Sequence, residues 1–474
     1  MSIERVAVIG LDCAEPSLVF DQWAEQLPNL TALRNRGAFG NLTSCMPPIT
    51  VPAWSCMASS KDPGTLGIYG FRNRKDHSYD GLSIAMSMQV KEPRIWDLLT
   101  AAGEPSIIVG VPGTFPILKP IQGQMVTCFL TPNPADALGS EDPIKQYTYP
   151  PALKHTIKDL VGEYIVDVKG FRTDDKPWLL DQIYQMTDRR FKVVKHLATT
   201  QPWKLLWMVE MGTDRIHHGF WQYLDKKHHR HEPGNPMENA IRDYYIHLDR
   251  LIGDLIATCD PARTAFLVVS DHGAKRMDGG ICFNDWLIRE GYLALKQPPT
   301  GPSKFDIKSV DWSRTRAWGE GGYYGRCFLN IRGREPQGIV QPEQAEALAD
   351  ELIRKLEALP DHEGRPIGTR VYKPRDIYRA VNGVAPDLIV IFGDLHWRSV
   401  GTVGNDSIYT FSNDTGPDDA NHAQEGLYIL AAPPGAVKIS SGRRDGPTLY
   451  DIAPTILKLL NRPIPGDMIG KPLV

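Results

Sequence analysis

Three stretches of the chain are continuous apolar runs without alternation: RVAVIGL from residue 5, KLLWMVEMG from residue 204 and TAFLVVS from residue 264. A strand with one wet face alternates apolar and polar side chains, so these runs predict strands buried on both faces of a parallel sheet. Between them the period changes. Residues 17–35 predict a helix broken near Leu27-Pro28, GAFGNLTS (37–44) predicts a returning strand, and PRIWDLLTAAG followed by SIIVGVPGTFP repeats the helix-strand alternation. A helix is expected at 181–200. A stronger one is expected at 236–258, where Ile241, Tyr244, Tyr245, Leu248, Ile252 and Leu255 recur at helical spacing and form a core stripe. This alternation predicts an α/β protein with a doubly wound, mostly parallel sheet.

Two segments interrupt the pattern. Residues 114–180 loosen into Pro-, Gly- and Asp-rich sequence such as TPNPADALGSEDP, and residues 296–340 are rich in aromatics, Arg and Gly. Both read as cap insertions on a single domain spanning 1–474. The helix expected at 342–359 and the strand PDLIVIFGD read as a return to the main core. The tail predicts a helix from Ile452, capped by Asp451 and ended by Pro463. No internal repeat or low-complexity tract is present.

Composition narrows the class. A net charge of −3 leaves no basic excess to suggest a nucleic-acid partner, and the N-terminal apolar run is too short and too soon charged for a signal segment or membrane span. Seven cysteines without CxxC spacing are best read as reduced, buried thiols, so a cytoplasmic protein is expected.

Candidate chemistry collects where the apolar runs end. In open α/β sheets ligands bind at the C-terminal ends of strands, and Asp12 ends the first run. Its plainer reading is an N-cap for the helix after Pro16. Directly after the second run, Asp214 and His218 are four residues apart, a spacing that puts both on one helical face. The third ends in Asp271 and His272, and His422 precedes another apolar strand. In PPITVPAWSCMASS, Pro47, Pro48 and Pro52 forbid regular structure around Thr50, and AWSCMASS predicts a short buried helix. Thr50 is thereby offered at an anion-binding helix start, as a nucleophile that needs a metal or base to activate it.

In this order, Asp12, TVPAW with Thr50, PxxLGI, Asp214-x-x-x-His218, SDHG, His422 and DIAPTIL resemble the alkaline phosphatase superfamily, most closely its type I phosphodiesterase/nucleotide pyrophosphatase family. The resemblance implies two divalent metal ions, one held by Asp214, His218 and His422 and the other by Asp12, Asp271, His272 and Thr50. Zinc suits this donor set and manganese is admissible. It further implies attack of Thr50 on phosphorus and a small anionic phosphoester as substrate. The family's phosphate-contacting Asn falls on Phe71 here, so Asn73, flanked by Arg72 and Arg74, supplies the expected substrate contacts. Leu66 replaces the family's usual His in PxxHGI and reads as structural.

Plainer readings cover several conspicuous residues. The His-rich KKHHRHEPGNP (226–236) reads as a solvated loop, and His217 as a packing neighbour of the ligands. Cys45 lacks the downstream Arg of the sulfatase nucleophile motif, Ile49 standing in its place. Of Trp54, Trp312, Trp318, Tyr323 and Tyr324, each is more simply core than pocket. A monoester phosphatase, phosphomutase or phosphoryl transferase is the alternative on the same site, and a silent phospholigand-binding protein a third reading.

Overall fold

In the computed structural model, which describes residues 3–474, nine strands form one sheet. From one edge the order is Gly442–Arg443, Ala38–Thr43, Glu425–Ala431, Thr264–Val269, Arg5–Leu11, Leu205–Glu210, Ser106–Val109, Gly123–Val126 and Thr148–Tyr149. The three predicted apolar strands lie side by side and parallel at its centre, with Val6 opposite both Leu205 and Ala265. Glu425–Ala431 runs antiparallel to its neighbours on both sides.

The pleat assigns the helices to two faces. Trp207 packs edge-on against Trp54 of the helix Thr50–Ser59 and against Trp96. Glu210, on the opposite pleat, accepts a hydrogen bond from Thr187 of the helix Lys176–Thr200. Helices therefore cover both faces, as the unalternated runs require. No helix among the described residues is long and apolar enough to cross a membrane.

Three expectations are corrected. The segment 114–180 is not wholly a cap: Gly123–Val126 and Thr148–Tyr149 extend the main sheet, the first parallel to Ser106–Val109. These strands are too short for periodicity to mark them. The helix Ala345–Glu357 and the strand Leu388–Ile391 do not return to the main core. They belong to a second lobe, where Leu388–Ile391 pairs antiparallel with Gly325–Leu329 and Arg370–Tyr372 over a separate apolar cluster that includes Trp286, Trp318, Phe328, Leu352 and Phe392. A strand buried on both faces does not say which sheet it joins. At the tail, Asp451 does not cap the helix Ile452–Leu459 with its side chain, which instead accepts from the Thr448 and Lys471 amides.

The second lobe leaves and rejoins the main body through one antiparallel ladder, Gly273–Arg276 against Ala420–Ala423, which sets Ala274 opposite His422. In the central strand, Gly10 makes room for the helix Thr50–Ser59. A Cβ there would lie 2.6 Å from the Trp54 ring and 2.8 Å from Val209. Gly10→Ala is expected to destabilise the fold by about 1–3 kcal/mol through overpacking, read from denaturant unfolding; an unchanged midpoint would show that the Trp54 ring moves freely.

Candidate active site

Thr50 opens the helix Thr50–Ser59, preceded by extended Ile49 and fully buried along its length. Because Pro52 carries no N–H, the free amide donors of the first turn are those of Thr50 and Val51. Thr50 Oγ1 lies 3.3 Å from His272 Nε2. The same nitrogen is 3.2 Å from Asp271 Oδ2 and 3.7 Å from Asp12 Oδ1. Trp54 Nε1 donates to the other oxygen of Asp12 at 2.7 Å, and the Cys13 amide donates to Asp271 Oδ1 at 3.2 Å. Asp12 is thus aimed by the helix that Thr50 opens and does not act as an N-cap.

Asp214 and His218 lie on one face of the helix Gly212–Leu224, with Asp214 Oδ1 3.3 Å from His218 Nε2 and 3.9 Å from His422 Nε2. The His272 and His422 rings stack with centroids 3.7 Å apart, which joins the two clusters. All six predicted side-chain ligands and Thr50 converge. Asp214 with His272 and His422, and Asp12 with Asp271 and His272, form compact groups of buried ligand-type atoms; Cys13 also approaches Asp214 and His218. Burial, then the neighbouring Asp214, pushes the Cys13 thiol well up, so a thiolate is disfavoured.

The hydrogen bonds of these side chains fit metal ions. Two ligands on a tetrahedral ion with bonds of about 2.0–2.1 Å sit about 3.3 Å apart, and each cluster holds one pair at that spacing, 3.2 and 3.3 Å, with a longer one at 3.7 and 3.9 Å. Asp12 Oδ1, Asp271 Oδ2 and His218 Nε2 are buried without a hydrogen-bond partner. Each imidazole is fixed through its other nitrogen: His218 Nδ1 to Asp418 at 2.6 Å, His422 Nδ1 to the Pro48 carbonyl at 2.8 Å, and His272 Nδ1 to the Gly273 carbonyl at 3.1 Å. Those contacts place the proton on Nδ1 and leave the Nε2 lone pairs facing the cluster.

Burial, then Asp214, pushes the Asp12 carboxyl well above the carboxylate range; burial, then Asp12, does the same to Asp271. Burial drives His272 down to about 4 and, with His272 and His218 nearby, holds His422 well below its usual value. Against its burial, Asp214 is held low by His218 and Arg215, and His218 is held high by Asp418 and Tyr323.

The expected phosphate contacts fare differently. Asn73 is spent on its own turn, accepting from the Tyr69 amide at 2.8 Å and donating to the Gly70 carbonyl at 3.0 Å. Arg74 faces the second lobe, with Nη1 3.3 Å from Glu335 and its guanidinium over Trp318 and Phe328. Asn73 and Arg74 are thus held in a turn and a lobe contact and do not line the cavity beside the cluster, although Arg74 Nε has no hydrogen-bond partner among the described residues. Arg72 alone stays exposed, at the rim of a cavity of about 430 Å³ that also touches Ile49, Phe71, Arg215 and Tyr323.

Several participants carry no local sequence signal. Asp418 braces His218, Arg215 bridges Asp214 and Asp167, and Tyr323 stacks on His422 with centroids 4.1 Å apart. Asp418 lies close to His422 in sequence, but its partner His218 is on the helix Gly212–Leu224. Among the aromatics considered above, Tyr323 and Tyr324 line the cavity, whereas Trp312 and Trp318 belong to the second lobe's core. His217 is a packing neighbour, its Nδ1 3.0 Å from the Cys13 carbonyl. The 226–236 loop is only partly solvated, since His228 is buried.

The profile of the type I phosphodiesterase/nucleotide pyrophosphatase family matches residues 6–418. The chain belongs to that family. Asp12, Thr50, Asp214, His218, Asp271 and His272 fall inside the matched span, and His422 lies just beyond it. Solved structures with a similar fold include human ectonucleotide pyrophosphatase/phosphodiesterase 5, which covers 97% of this chain and 96% of its own at 15% identity and a TM-score of 0.52. Its murine counterpart, as an inactive threonine-to-alanine variant in complex with AMP, covers 98% and 96% at 13% identity and a TM-score of 0.52. No curated protein sequence matches the chain.

For this family member two outcomes are expected. Asp418→Asn should weaken metal binding at the Asp214–His218–His422 cluster by about 10- to 100-fold, measured by competition with a chromogenic chelator; unchanged affinity would reduce Asp418 to a packing residue. The raised carboxyls of Asp12 and Asp271 make the folded, metal-free chain bind protons more tightly than the unfolded one. Their stabilisation is present at acid pH and is lost as pH rises through the raised values. Cations take the place of those protons, so the Zn2+-dependent gain in Tm should be larger at about pH 8 than at about pH 5. A smaller gain at the higher pH would contradict this account.

Proposed function

We propose that the chain is a phosphoric ester hydrolase of the phosphodiesterase/nucleotide pyrophosphatase type, dependent on two divalent cations and acting through a covalent intermediate on Thr50. The observation that carries this reading is the position of Thr50 Oγ1, at a helix start and 3.3 Å from His272 Nε2 beside Asp12 and Asp271.

Asp214, His218 and His422 would hold one cation, and Asp12, Asp271, His272 and Thr50 the other. Zinc is favoured by the mix of imidazole and carboxylate donors, and manganese fits the same set. Bound there, the cations would supply the positive charge that makes a threonine hydroxyl acidic enough to attack and that draws charge from the phosphoryl oxygens. Everything else is work for the chain. The amides of Thr50 and Val51 point from the helix start at the phosphoryl group. The β-branched Thr50 side chain has few rotamers, which keeps its oxygen in line with phosphorus. Attack forms the Oγ1–P bond and breaks the bond from phosphorus to the leaving alcohol or phosphate, and the hydroxyl proton passes to water. Water then attacks the phosphothreonine ester, freeing Thr50 and the second product.

A diester is favoured over a monoester because the cavity of about 430 Å³ beside the cluster leaves room for a second ester arm. The relative solved with AMP makes nucleotides a reasonable first substrate class. The seven unpaired, buried cysteines support the cytoplasm as its compartment.

With Zn2+ or Mn2+ supplied, the protein is expected to cleave bis(4-nitrophenyl) phosphate faster than 4-nitrophenyl phosphate, and a chelator should abolish both activities. Thr50→Ala should lower kcat on the order of a thousandfold or more while metal content falls little, and Thr50→Ser should keep part of the rate. A Thr50→Ala protein that merely melts earlier and turns over normally would overturn the nucleophile assignment.

A further inference from the structure

The cavity beside the cluster is walled by five guanidinium groups, those of Arg72, Arg172, Arg215, Arg326 and Arg398. Their partners are unequal. Arg215 is fully engaged, with Nε and Nη2 each 2.8 Å from Asp167 and Nη1 on Asp214. Arg172 donates to Asp418 at 3.0 Å and to the Tyr323 hydroxyl at 2.7 Å, and Arg326 donates to the Arg72 carbonyl. Arg398 is different. It is only 4% exposed, yet its Nε and Nη1 make no hydrogen bond among the described residues. Its nearest carboxylate oxygen, Asp418 Oδ2, is 3.5 Å away and already accepts from Arg172, while the other Asp418 oxygen holds His218. One carboxylate thus faces two guanidiniums and an imidazole.

A buried guanidinium with two idle donors is costly unless something pairs with it. The two idle nitrogens lie on different edges of the guanidinium, so each offers an N–H to a separate anionic oxygen, and Nη2 is 3.9 Å from Asp414. Its place is also set: the Arg398 guanidinium lies 5.5 Å from the Tyr323 ring, and that ring stacks on His422. One aromatic ring therefore separates the phosphoryl site from the Arg398 guanidinium. Arg72, exposed at the rim and without an ion-pair partner among the described residues, adds a second free charge on the way in.

We propose that the substrate is a phosphodiester whose retained arm carries a second anionic group, phosphate or carboxylate, received by Arg398 with Arg172 and Arg72 around Tyr323. This rests on the phosphodiesterase reading of the site, and its test is made by binding so that it stands apart from turnover. The probes are three 4-nitrophenyl phosphodiesters whose other arm is n-butyl, 3-carboxypropyl or 3-phosphooxypropyl. Each is titrated calorimetrically into the zinc-loaded Thr50→Ala protein, in which the proposed nucleophile is absent.

Both acidic arms should bind at least about tenfold more tightly than the butyl arm, the scale of one charge-assisted hydrogen bond. In the Thr50→Ala background, Arg398→Gln should collapse that advantage and Arg398→Lys should keep part of it. Arg72→Gln, at an exposed rim position where folding is not at stake, should lower it by a smaller factor. Equal affinities for the three esters overturn the proposal, whatever the turnover assay shows. So does an advantage that survives both Arg398→Gln and Arg72→Gln, because the extra anion would then be sitting on the metal cluster.

Discussion

Asp12, Asp214 and Asp271 are buried together because two neighbouring strands and a helix start end at one place, and like charges so placed cannot all ionise unaided. Much of the surrounding structure answers that repulsion. Arg215 neutralises Asp214 from the cavity side, Trp54 and the Cys13 amide hold one oxygen each of Asp12 and Asp271, and the remaining oxygens face one another without partners. A dry carboxylate cluster of this kind is a poor way to stabilise a fold and a good way to collect cations. The protein stabilises its core elsewhere, in the doubly covered sheet, and carries the cluster as the cost of its chemistry.

From that centre outward the charges alternate. Carboxylates and Nε2 atoms face inward, the Nδ1 atoms turn to carbonyls or to Asp418, and Asp418 turns to Arg172 and Arg398. Each layer orients the one inside it. His422 shows how tightly the parts interlock: its Nδ1 contacts Pro48 in the loop before Thr50, its ring packs on His272, and its backbone sits in the ladder that closes the second lobe.

What was legible in the sequence follows from what local pattern encodes. The central strands, Thr50 at a helix start and the six converging Asp and His side chains were readable because each is a residue type at a fixed place relative to an apolar run or a Pro cluster. Asn73 and Arg74 misled because phosphate-binding chemistry and turn-locking chemistry use the same side chains, and only the partners in space distinguish them. Arg398 and Tyr323 were invisible as a pair, since they meet on a site to which their own lobe contributes no ligand. The strand Leu388–Ile391 reads alike in either sheet, so its allegiance to the second lobe was decided by pairing and not by composition.

The ladder between Gly273–Arg276 and Ala420–Ala423 has an evolutionary consequence. Everything from Met277 to Asp419 enters and leaves through that single doorway, directly after Asp271 and His272 and directly before His422. Any insertion that begins and ends on those two strands would bring the last histidine home. A lineage could therefore exchange the second lobe, Tyr323 and Arg398 with it, and inherit Thr50 and the clustered carboxylates and imidazoles, so long as the incoming segment again ends in a carboxylate placed as Asp418 is against His218: the cluster is the chassis, and the lobe is what is plugged into it.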